Sequence, residues 1–257
     1  MRRLIVVGGI FLSAALISLI FMAHNNNGVP VLMYHMVSDW SPKRPLAVPV
    51  KEFERQMWYL HKRGYTVLPL EILLDRISNG KPLPPNTVAL TFDDGYMDNY
   101  RNAFPILKKY HYPATIFMPI NLVGKKNLWD IKRGKPAVKM LTRSQIMEMM
   151  QYNISFQPHT YNHVVLTDIP PERAKQEIFK SKNELARFTG QEVKVFCYPS
   201  GRYTRQIISF VKDAGFNYAF STQQGRIHYG DNLYTLKRIR VSGLYLIPEF
   251  IMHLELT

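Results

Sequence analysis

The sequence predicts an α/β fold with a parallel sheet that is either open or closed into a barrel. Short apolar runs typical of buried strands alternate with amphipathic helical patterns along most of the 257 residues. Polar residues with catalytic chemistry directly follow several of these strands, as is common at the carboxyl ends of strands in α/β folds. The length fits one domain of barrel size as well as two small ones.

Residues 1–28 are predicted to be an N-terminal membrane anchor with a short tether, and residues 29–257 the folded domain. Arg2 and Arg3 precede an uninterrupted apolar run at residues 4–23, which is long enough to cross a bilayer. The positive charge at its start places the N-terminus in the cytoplasm and the domain outside. A cleaved signal peptide is the alternative, although residues 21–23 match the small-x-small cleavage rule poorly.

The rest of the chain alternates strands and helices. The predicted strands are residues 29–34, 88–92, 114–118, 153–157, 194–198, 218–221 and 236–241. The predicted helices are residues 53–60, 71–77, 98–110, 142–150, 171–188, 207–214 and 248–254. Gly64 ends the first helix, and Thr142 with Gln145 fits a capping box at the start of the fourth.

Composition limits the classes of partner. The net charge of +14 indicates an anionic environment. The basic residues are scattered and lack the dense, aromatic-interleaved pattern of a nucleic-acid binder, so we expect an anionic membrane or wall surface and no nucleic acid. A single cysteine, Cys197, excludes an internal disulfide framework and a multi-cysteine zinc site.

Two adjacent carboxylates follow the apolar strand at residues 88–92. Neighbouring residues of a strand face opposite ways, so Asp93 and Asp94 serve one site only if the chain bends, and Gly95 permits a bend. Two ionised carboxylates repel each other, which favours a cation or a shared proton between them. An ordinary Asp-Gly turn is the alternative interpretation.

Two histidines follow another predicted strand. His159 and His163 are four residues apart and can share a metal if they lie on one helical turn. Surface histidines at this spacing are common, but the position after a strand favours a site. Two imidazoles and one carboxylate with open positions for water form a hydrolytic metal site, and the second carboxylate is then free to act as a base.

A third segment, Phe-Cys-Tyr-Pro-Ser-Gly-Arg-Tyr at residues 196–203, also follows a strand. Its Pro and Gly fit a fixed loop whose backbone N–H groups face a site. An ordinary strand-to-helix turn explains the same residues.

These motifs together resemble the polysaccharide deacetylases of carbohydrate esterase family 4, the NodB-homology domain. Thr-Phe-Asp-Asp-Gly-Tyr at residues 91–96 is similar to the first family motif, and His-Thr-Tyr-Asn-His at residues 159–163 to the second. The resemblance extends over about residues 29–241. It implies a distorted (β/α) barrel that acts as the catalytic domain and removes acetyl groups from N-acetylated sugars with a divalent metal, usually Zn²⁺.

Carried over residue by residue, the resemblance implies roles for four side chains. Asp94, His159 and His163 are the expected metal ligands, and Asp93 is the expected general base. Water activated in this way attacks the acetamide carbon, and the cation stabilises the developing oxyanion.

The third family motif is altered in this chain. The family often has Arg-x-Pro-Tyr, whereas Cys197 stands at the position of the arginine and Ser200 at that of the tyrosine. The variant resembles a branch that includes exported poly-N-acetylglucosamine deacetylases. Tyr198 and Ser200 are the expected substrate or oxyanion contacts, the latter through its backbone N–H. The candidates to replace the arginine are Arg202, Arg238 and Arg240.

The resemblance also implies a general acid, normally a histidine in a Leu-x-His motif after the last strand. Near the C-terminus only His253 is available, on a predicted amphipathic helix. His35 fits better, because it ends an apolar first strand, and the first and last strands of a closed barrel are neighbours. We therefore expect His35 to be the acid, and a structural histidine that packs on Tyr34 is the alternative.

The predicted function is a membrane-anchored, metal-dependent deacetylase of N-acetylglucosamine polymers on the extracytoplasmic side of the cell membrane, or secreted if the segment is cleaved. Peptidoglycan and an exported poly-N-acetylglucosamine are both suitable substrates, and Trp129, Tyr161 and Asn162 are candidates to line a sugar cleft. A catalytically weakened carbohydrate-binding protein and a hydrolase of a small non-sugar amide are the alternatives. The sequence leaves the oligomeric state open.

Overall fold

The computed structural model describes residues 28–39, 45–127, 129 and 137–257. The predicted membrane segment at residues 4–23 lies outside them. Among the described residues, no helix combines the length and the apolar character needed to span a bilayer.

Ten strands and seven α-helices alternate along the described chain, as the hydrophobic pattern predicts. The strands are β1 Val31–Tyr34, β2 Met36–Val37, β3 Ala47–Val48, β4 Thr66–Val67, β5 Thr87–Asp93, β6 Ala114–Met118, β7 Ile154–Pro158, β8 Val195–Cys197, β9 Tyr218–Gln224 and β10 Leu236–Arg240. The helices are α1 Val50–Lys62, α2 Leu70–Ser78, α3 Phe104–Tyr110, α4 Arg143–Met150, α5 Pro171–Thr189, α6 Arg205–Asp213 and α7 Ile247–Leu256.

Seven strands form a nearly closed parallel barrel in the order β7-β6-β5-β1-β10-β9-β8. The first strand lies between β5 and the last strand, with Leu32 opposite Leu90 on one side and Ile239 on the other. β4 pairs with the first residues of β5, and β2 and β3 form a separate parallel pair. The barrel alternative of the predicted α/β fold is therefore the correct one.

The seam between β7 and β8 is bridged by a side chain. The backbone N–H of Val195 donates to Gln157 Oε1 at 3.0 Å, and Gln157 Nε2 donates to Glu71 Oε1 of α2 at 3.0 Å. Gln157 is only 3% exposed. Both the oxygen and the nitrogen of its side-chain amide are therefore hydrogen-bonded. A polar side chain closes the barrel where a backbone ladder is missing.

Alternation along the strands produces two apolar cores. The outward residues of the strands, such as Leu32, Leu90 and Ile116, pack under the surrounding helices. The inward residues Val31 and Ala89 belong to a second cluster that also contains Leu70, Leu73, Leu74 and Ile77 of α2. The side of α2 that carries these leucines therefore packs against the barrel interior, which leaves the opposite end of the barrel for polar groups.

One predicted helix differs from the structure. The expected helix at residues 98–110 begins as a π-helix, Asn99–Ala103, before it continues as α3. π-Helical turns are rare and frequently lie at functional sites. The asparagines of this turn hold the segment that follows β1, as described below.

Candidate active site

The polar residues of the sequence motifs meet at the carboxyl end of the barrel. His35 follows β1, Asp93 ends β5, His159 follows β7 and Cys197 ends β8. Because all barrel strands are parallel, their carboxyl ends lie at one rim, and residues far apart in the chain become neighbours there.

A sharp bend at the end of β5 presents both carboxylates to one site. Asp94 has a φ of +76° and Gly95 a φ of +73°, two successive left-handed residues. A Cβ on Gly95 would lie 2.8 Å from the Cβ of Met118, so glycine is required for space as well as for conformation. The bend predicted from the Asp-Asp-Gly sequence is present.

Asp94, His159 and His163 form a compact set of metal donors. Their ligand atoms all lie within 4.8 Å of one another. Asp94 Oδ1 is 2.9 Å from Nε2 of His163 and 3.6 Å from Nε2 of His159. Although burial raises the pKa of Asp94, the His163 imidazole holds that pKa below its usual value.

His159 is oriented for metal binding by its other ring nitrogen. Its Nδ1–H donates to the backbone carbonyl of Cys197 at 2.8 Å, which leaves the Nε2 lone pair facing Asp94. Burial lowers the pKa of His159 to about 4, so the ring is neutral at pH 7, as a metal ligand must be. A carboxylate with two imidazoles suits Zn²⁺, and the residues therefore fit the metal that the resemblance implies.

The spacing of the two histidines would have allowed them to share a helical turn, but they do not lie on a helix. The segment between them is a loop in which Thr160 and His163 have φ values of +60° and +59°. Trp129 stacks on the ring of His163 with centroids 3.8 Å apart. The indole therefore packs flat against the His163 ring and fixes its plane.

Asp93 is paired with a buried arginine from the last barrel strand. Nη1 and Nη2 of Arg238 lie 2.7 and 2.8 Å from the two oxygens of Asp93, and Nη2 is also 3.1 Å from Cys197 Sγ. Arg238 is fully buried and Asp93 is 2% exposed. Burial alone would raise the pKa of Asp93, but the guanidinium holds it below its usual value and keeps the carboxylate ionised.

Of the three arginines considered as substitutes, the structure brings only Arg238 to Asp93. Arg202 forms a surface ion pair with Asp168 at 2.9 Å, and Arg240 is exposed. The sequence signal for Arg238 is its place in the middle of the predicted strand at residues 236–241, where strand alternation puts it on the same face as Leu236. Burial also raises the pKa of the Cys197 thiol, so the neutral side chain packs against Arg238.

His35 lies beside the candidate base, as closure of the barrel predicts. Its Nε2 is 4.0 Å from Asp93 Oδ2, and its side chain is 13% exposed. The structure does not bring His253 to this site. That residue lies on α7 and stacks on Tyr245 with centroids 4.6 Å apart.

The segment that carries His35 is held by side chains around the π-helical turn. Asn99 Nδ2 donates to the carbonyl of His35 at 2.8 Å, and Asn102 Nδ2 donates to the carbonyl of Val37 at 2.7 Å. Asp98 Oδ1 accepts from the N–H of Val37 at 3.2 Å. These three contacts, which sequence reasoning missed, fix the backbone on which His35 stands.

The residues proposed for the oxyanion have different surroundings. Both donors of Tyr198 are engaged, the N–H with the Phe220 carbonyl at 3.0 Å and the hydroxyl with the Tyr234 carbonyl at 3.2 Å. Tyr198 is therefore buried in the core, and its contact with substrate stays a prediction. Ser200 lies exposed in the turn Pro199–Gly201 with a φ of +58°, and its role stays a prediction.

Two of the three candidate sugar contacts are engaged in the loop between the histidines. Lys180 lies 4.1 Å from the centroid of the Tyr161 ring, and the amide of Asn162 is hydrogen-bonded to Asn121 and Glu177. Trp129 keeps a partly exposed indole beside His163. It is therefore the candidate placed best to meet a sugar ring.

Comparisons with known proteins agree with this geometry. The polysaccharide deacetylase family model matches residues 80–219, more than half of the chain. Bacillus subtilis YxkH, a candidate polysaccharide deacetylase, is 36% identical over 215 residues, which cover 83% of this chain and 71% of that protein. The poly-beta-1,6-N-acetyl-D-glucosamine N-deacetylase of Staphylococcus epidermidis is 27% identical over 244 residues, covering 86% of this chain and 82% of that enzyme.

A solved structure has the same fold. The Streptococcus pyogenes deacetylase PplD, solved in complex with acetate, superposes with a TM-score of 0.79 and 31% identity, covering 89% of this chain and 98% of PplD. His35 and Arg238 lie outside the region matched by the family model but inside the barrel that carries the matched motifs. The chain belongs to the polysaccharide deacetylase family and is an enzyme of that family.

Proposed function

We propose that the protein is a metal-dependent hydrolase that removes N-acetyl groups from N-acetylglucosamine units of a polysaccharide at the cell surface. The observation that carries this proposal is the pairing of two sets of groups at one rim. Asp94, His159 and His163 form a metal-donor set, and Asp93 lies next to it with His35 at 4.0 Å. Amide hydrolysis needs such a Lewis-acid site together with a base and an acid.

The metal would be held by Asp94 and by Nε2 of His159 and His163. When bound there, a divalent cation such as Zn²⁺ supplies Lewis acidity, which lowers the pKa of water and polarises an acetyl carbonyl. His159 is set for this role by its hydrogen bond to Cys197, and His163 by the stacked indole of Trp129.

The chain's own side chains move the protons. Asp93, held ionised by Arg238, accepts a proton from the attacking water as that water's oxygen adds to the acetyl carbon. His35, when protonated, donates a proton to the amide nitrogen as the carbon–nitrogen bond breaks. The products are acetic acid, which then releases its proton to solvent as acetate, and the free amine of the sugar. The proton taken by Asp93 balances the one given by His35.

A polymeric sugar is the substrate class that the relatives support. The Staphylococcus epidermidis relative acts, by its name, on poly-β-1,6-N-acetylglucosamine. Trp129 offers a flat, partly exposed ring against which a sugar face can pack. The alternative of a weakened binding protein rested on the loss of an arginine at position 197, and Arg238 removes that reason.

The cell-surface location rests on the apolar run at residues 4–23 with its preceding Arg2 and Arg3. We place the barrel on the extracytoplasmic side of the membrane, where exported glycans are found. A fusion of a reporter enzyme to the C-terminus tests this orientation, and a reporter active only in the cytoplasm would contradict it.

The decisive experiment measures acetate release from poly-N-acetylglucosamine and from peptidoglycan. Asp93→Asn removes the base but keeps its shape, so turnover should fall by about 10² or more while bound metal is retained. An Asp94→Ala, His159→Ala double variant should lose nearly all metal, because two of three donors are gone. Full turnover of Asp93→Asn, or activity that a chelator leaves unchanged, would refute the proposal.

A further inference from the structure

We infer that Glu177 is a positioning residue for the metal donors, holding the loop between His159 and His163 in the shape that aims both imidazoles at Asp94. This inference rests on the proposed metal-dependent function. It concerns a buried carboxylate on α5, outside every motif described above. Glu177 is 6% exposed, and its carboxylate accepts three hydrogen bonds from N–H groups of the loop.

The contacts of Glu177 cover the two residues at the centre of the loop. Its Oε2 accepts from the backbone N–H of Tyr161 at 3.0 Å and from that of Asn162 at 2.9 Å. Its Oε1 accepts from Asn162 Nδ2 at 2.6 Å. An ionised carboxylate only accepts hydrogen bonds, so it suits a site that presents three N–H groups.

The other side of the loop is held by Asn121, which follows β6. Its backbone N–H donates to the carbonyl of Tyr161 at 3.1 Å, and its Nδ2 donates to Asn162 Oδ1 at 2.7 Å. The loop is therefore fixed between the barrel rim and α5. Asn162 links the two holding residues through its side-chain amide.

This support is needed because the loop is not in a relaxed conformation. Thr160 and His163 both have left-handed backbone angles, which residues with a Cβ adopt uncommonly and at a cost in free energy. His163 is itself one of the metal donors. If the central peptides are released, these two residues can return to ordinary angles, and the Nε2 atoms of the histidines then move apart.

A purely structural role for Glu177 makes a different prediction. In that case its loss lowers the stability of the fold but leaves the affinity of the folded protein for metal unchanged. In the positioning role, the affinity falls because binding must first reorder the loop. Groups that orient metal ligands typically contribute 10- to 100-fold to affinity.

The test measures the affinity of the full-length protein for Zn²⁺ by competition with a chelating dye, and the visible spectrum of the Co²⁺ form. Glu177→Ala should weaken Zn²⁺ binding by about 10- to 100-fold and alter the Co²⁺ spectrum. Glu177→Gln should restore most of the affinity, because its amide oxygen can still accept from both backbone N–H groups. Glu184→Ala is the matched control, since Glu184 lies two turns further along the same helix and pairs with Arg187.

The outcomes separate this inference from the proposed function. If the parent protein binds no metal, both are overturned. If the parent binds Zn²⁺ and folded Glu177→Ala binds it equally well with an unchanged Co²⁺ spectrum, only the positioning role is overturned. Should Glu177→Ala fail to fold, Asn162→Ala removes the link to Asn121 and leaves Glu177 on the backbone. An affinity for Zn²⁺ equal to that of the parent in this variant also counts against the inference.

Discussion

The guanidinium of Arg238 and the carboxylate of Asp93 form a two-point ion pair from which solvent is excluded. Two charges removed from water stabilise a protein little in net terms, but the loss of one partner leaves the other charge buried alone. The pair therefore acts as an orienting device. It fixes the orientation of the Asp93 carboxylate, next to the metal donors and to His35.

Arg238→Ala should destabilise the metal-free protein by about 3–5 kcal/mol in urea unfolding at pH 7, because Asp93 is left as an unpaired buried charge. Pairing with Arg238 lowers the pKa of Asp93. The stabilising effect of the ion pair is therefore present above the ordinary carboxyl pKa. It is lost as the pH falls through the lowered pKa of the folded state. The stabilities of parent and variant should therefore converge in strong acid. Arg240→Ala, which removes an exposed arginine of the same strand, is the control, and equal losses in the two variants would contradict this account.

His35→Ala should lower turnover by about 10² and leave the metal content unchanged, because a general acid contributes at least this much and His35 is not one of the metal donors. His253→Ala should have no effect on turnover, since its ring packs on Tyr245 away from the rim. Acetate release and metal analysis on both variants check this. The opposite pattern, with His253 essential and His35 dispensable, would make His35 a packing residue.

Most residues of the candidate site could be predicted from the sequence, but the contacts that support them could not. Asp93, Asp94, His159 and His163 follow strands, so their meeting at one rim needs only the parallel topology. The choice among the three arginines depends on which of them points into the barrel, and this is set by the register of β10 against its neighbours. Glu177 gave no signal at all, because a glutamate on an amphipathic helix looks like a surface residue.

Among the elements, the seam between β7 and β8 is the place where the barrel depends on side chains. Gln157 replaces a backbone ladder with one hydrogen bond to Val195 and one to Glu71. The same two strands lead into His159 and Cys197, which are joined by the hydrogen bond that orients the His159 ring. The stability of the seam and the geometry of the site are therefore linked.

Gln157→Ala should lower the free energy of unfolding by about 1–3 kcal/mol, since it leaves the buried N–H of Val195 without its partner. Chemical denaturation of the metal-free protein measures the effect. Gln176→Ala on the exposed side of α5 is the control and should stay within about 0.5 kcal/mol of the parent. A Gln157 variant as stable as this control would show that the seam does not need the bridge.

Long, strongly patterned elements were predictable, and short or irregular ones were not. β6 has the predicted bounds, and the capping box of Thr142 and Gln145 is present at the start of α4. The strands β2, β3 and β4 have two residues each, too few to show a period. The π-helical turn before α3 was missed, because an apolar pattern in sequence does not distinguish a π-turn from an α-turn.

At the scale of the whole molecule, an excess of basic residues gives the protein its net charge of +14. Charge of this size governs long-range association more than it governs the fold. We attribute it to an anionic setting such as a wall polymer or a membrane surface.

The protein lacking residues 1–24 should bind anionic wall polymer and vesicles that contain anionic lipid. This binding should be lost as the salt concentration is raised through about 0.15 M and beyond, because salt screens exposed charges. Vesicles of zwitterionic lipid are the control and should bind weakly. Sedimentation of the protein with the vesicles measures this. Tighter, sequence-dependent binding to DNA would contradict the assignment.

The parallel direction of the barrel strands also fixes the distance between Gly28, the first described residue, and the candidate site. Gly28 lies at the end of the barrel where the strands begin, with its carbonyl 3.4 Å from Arg226 Nη1 and with Val29 bridged to Ile227. The seven residues of β5 run from that end to Asp93, a rise of about 20 Å over six steps of 3.3 Å along the strand. Gly28 and the candidate site therefore lie at opposite ends of the barrel. A long glycan strand can therefore lie across the rim of the barrel without meeting the residues at which the described chain begins.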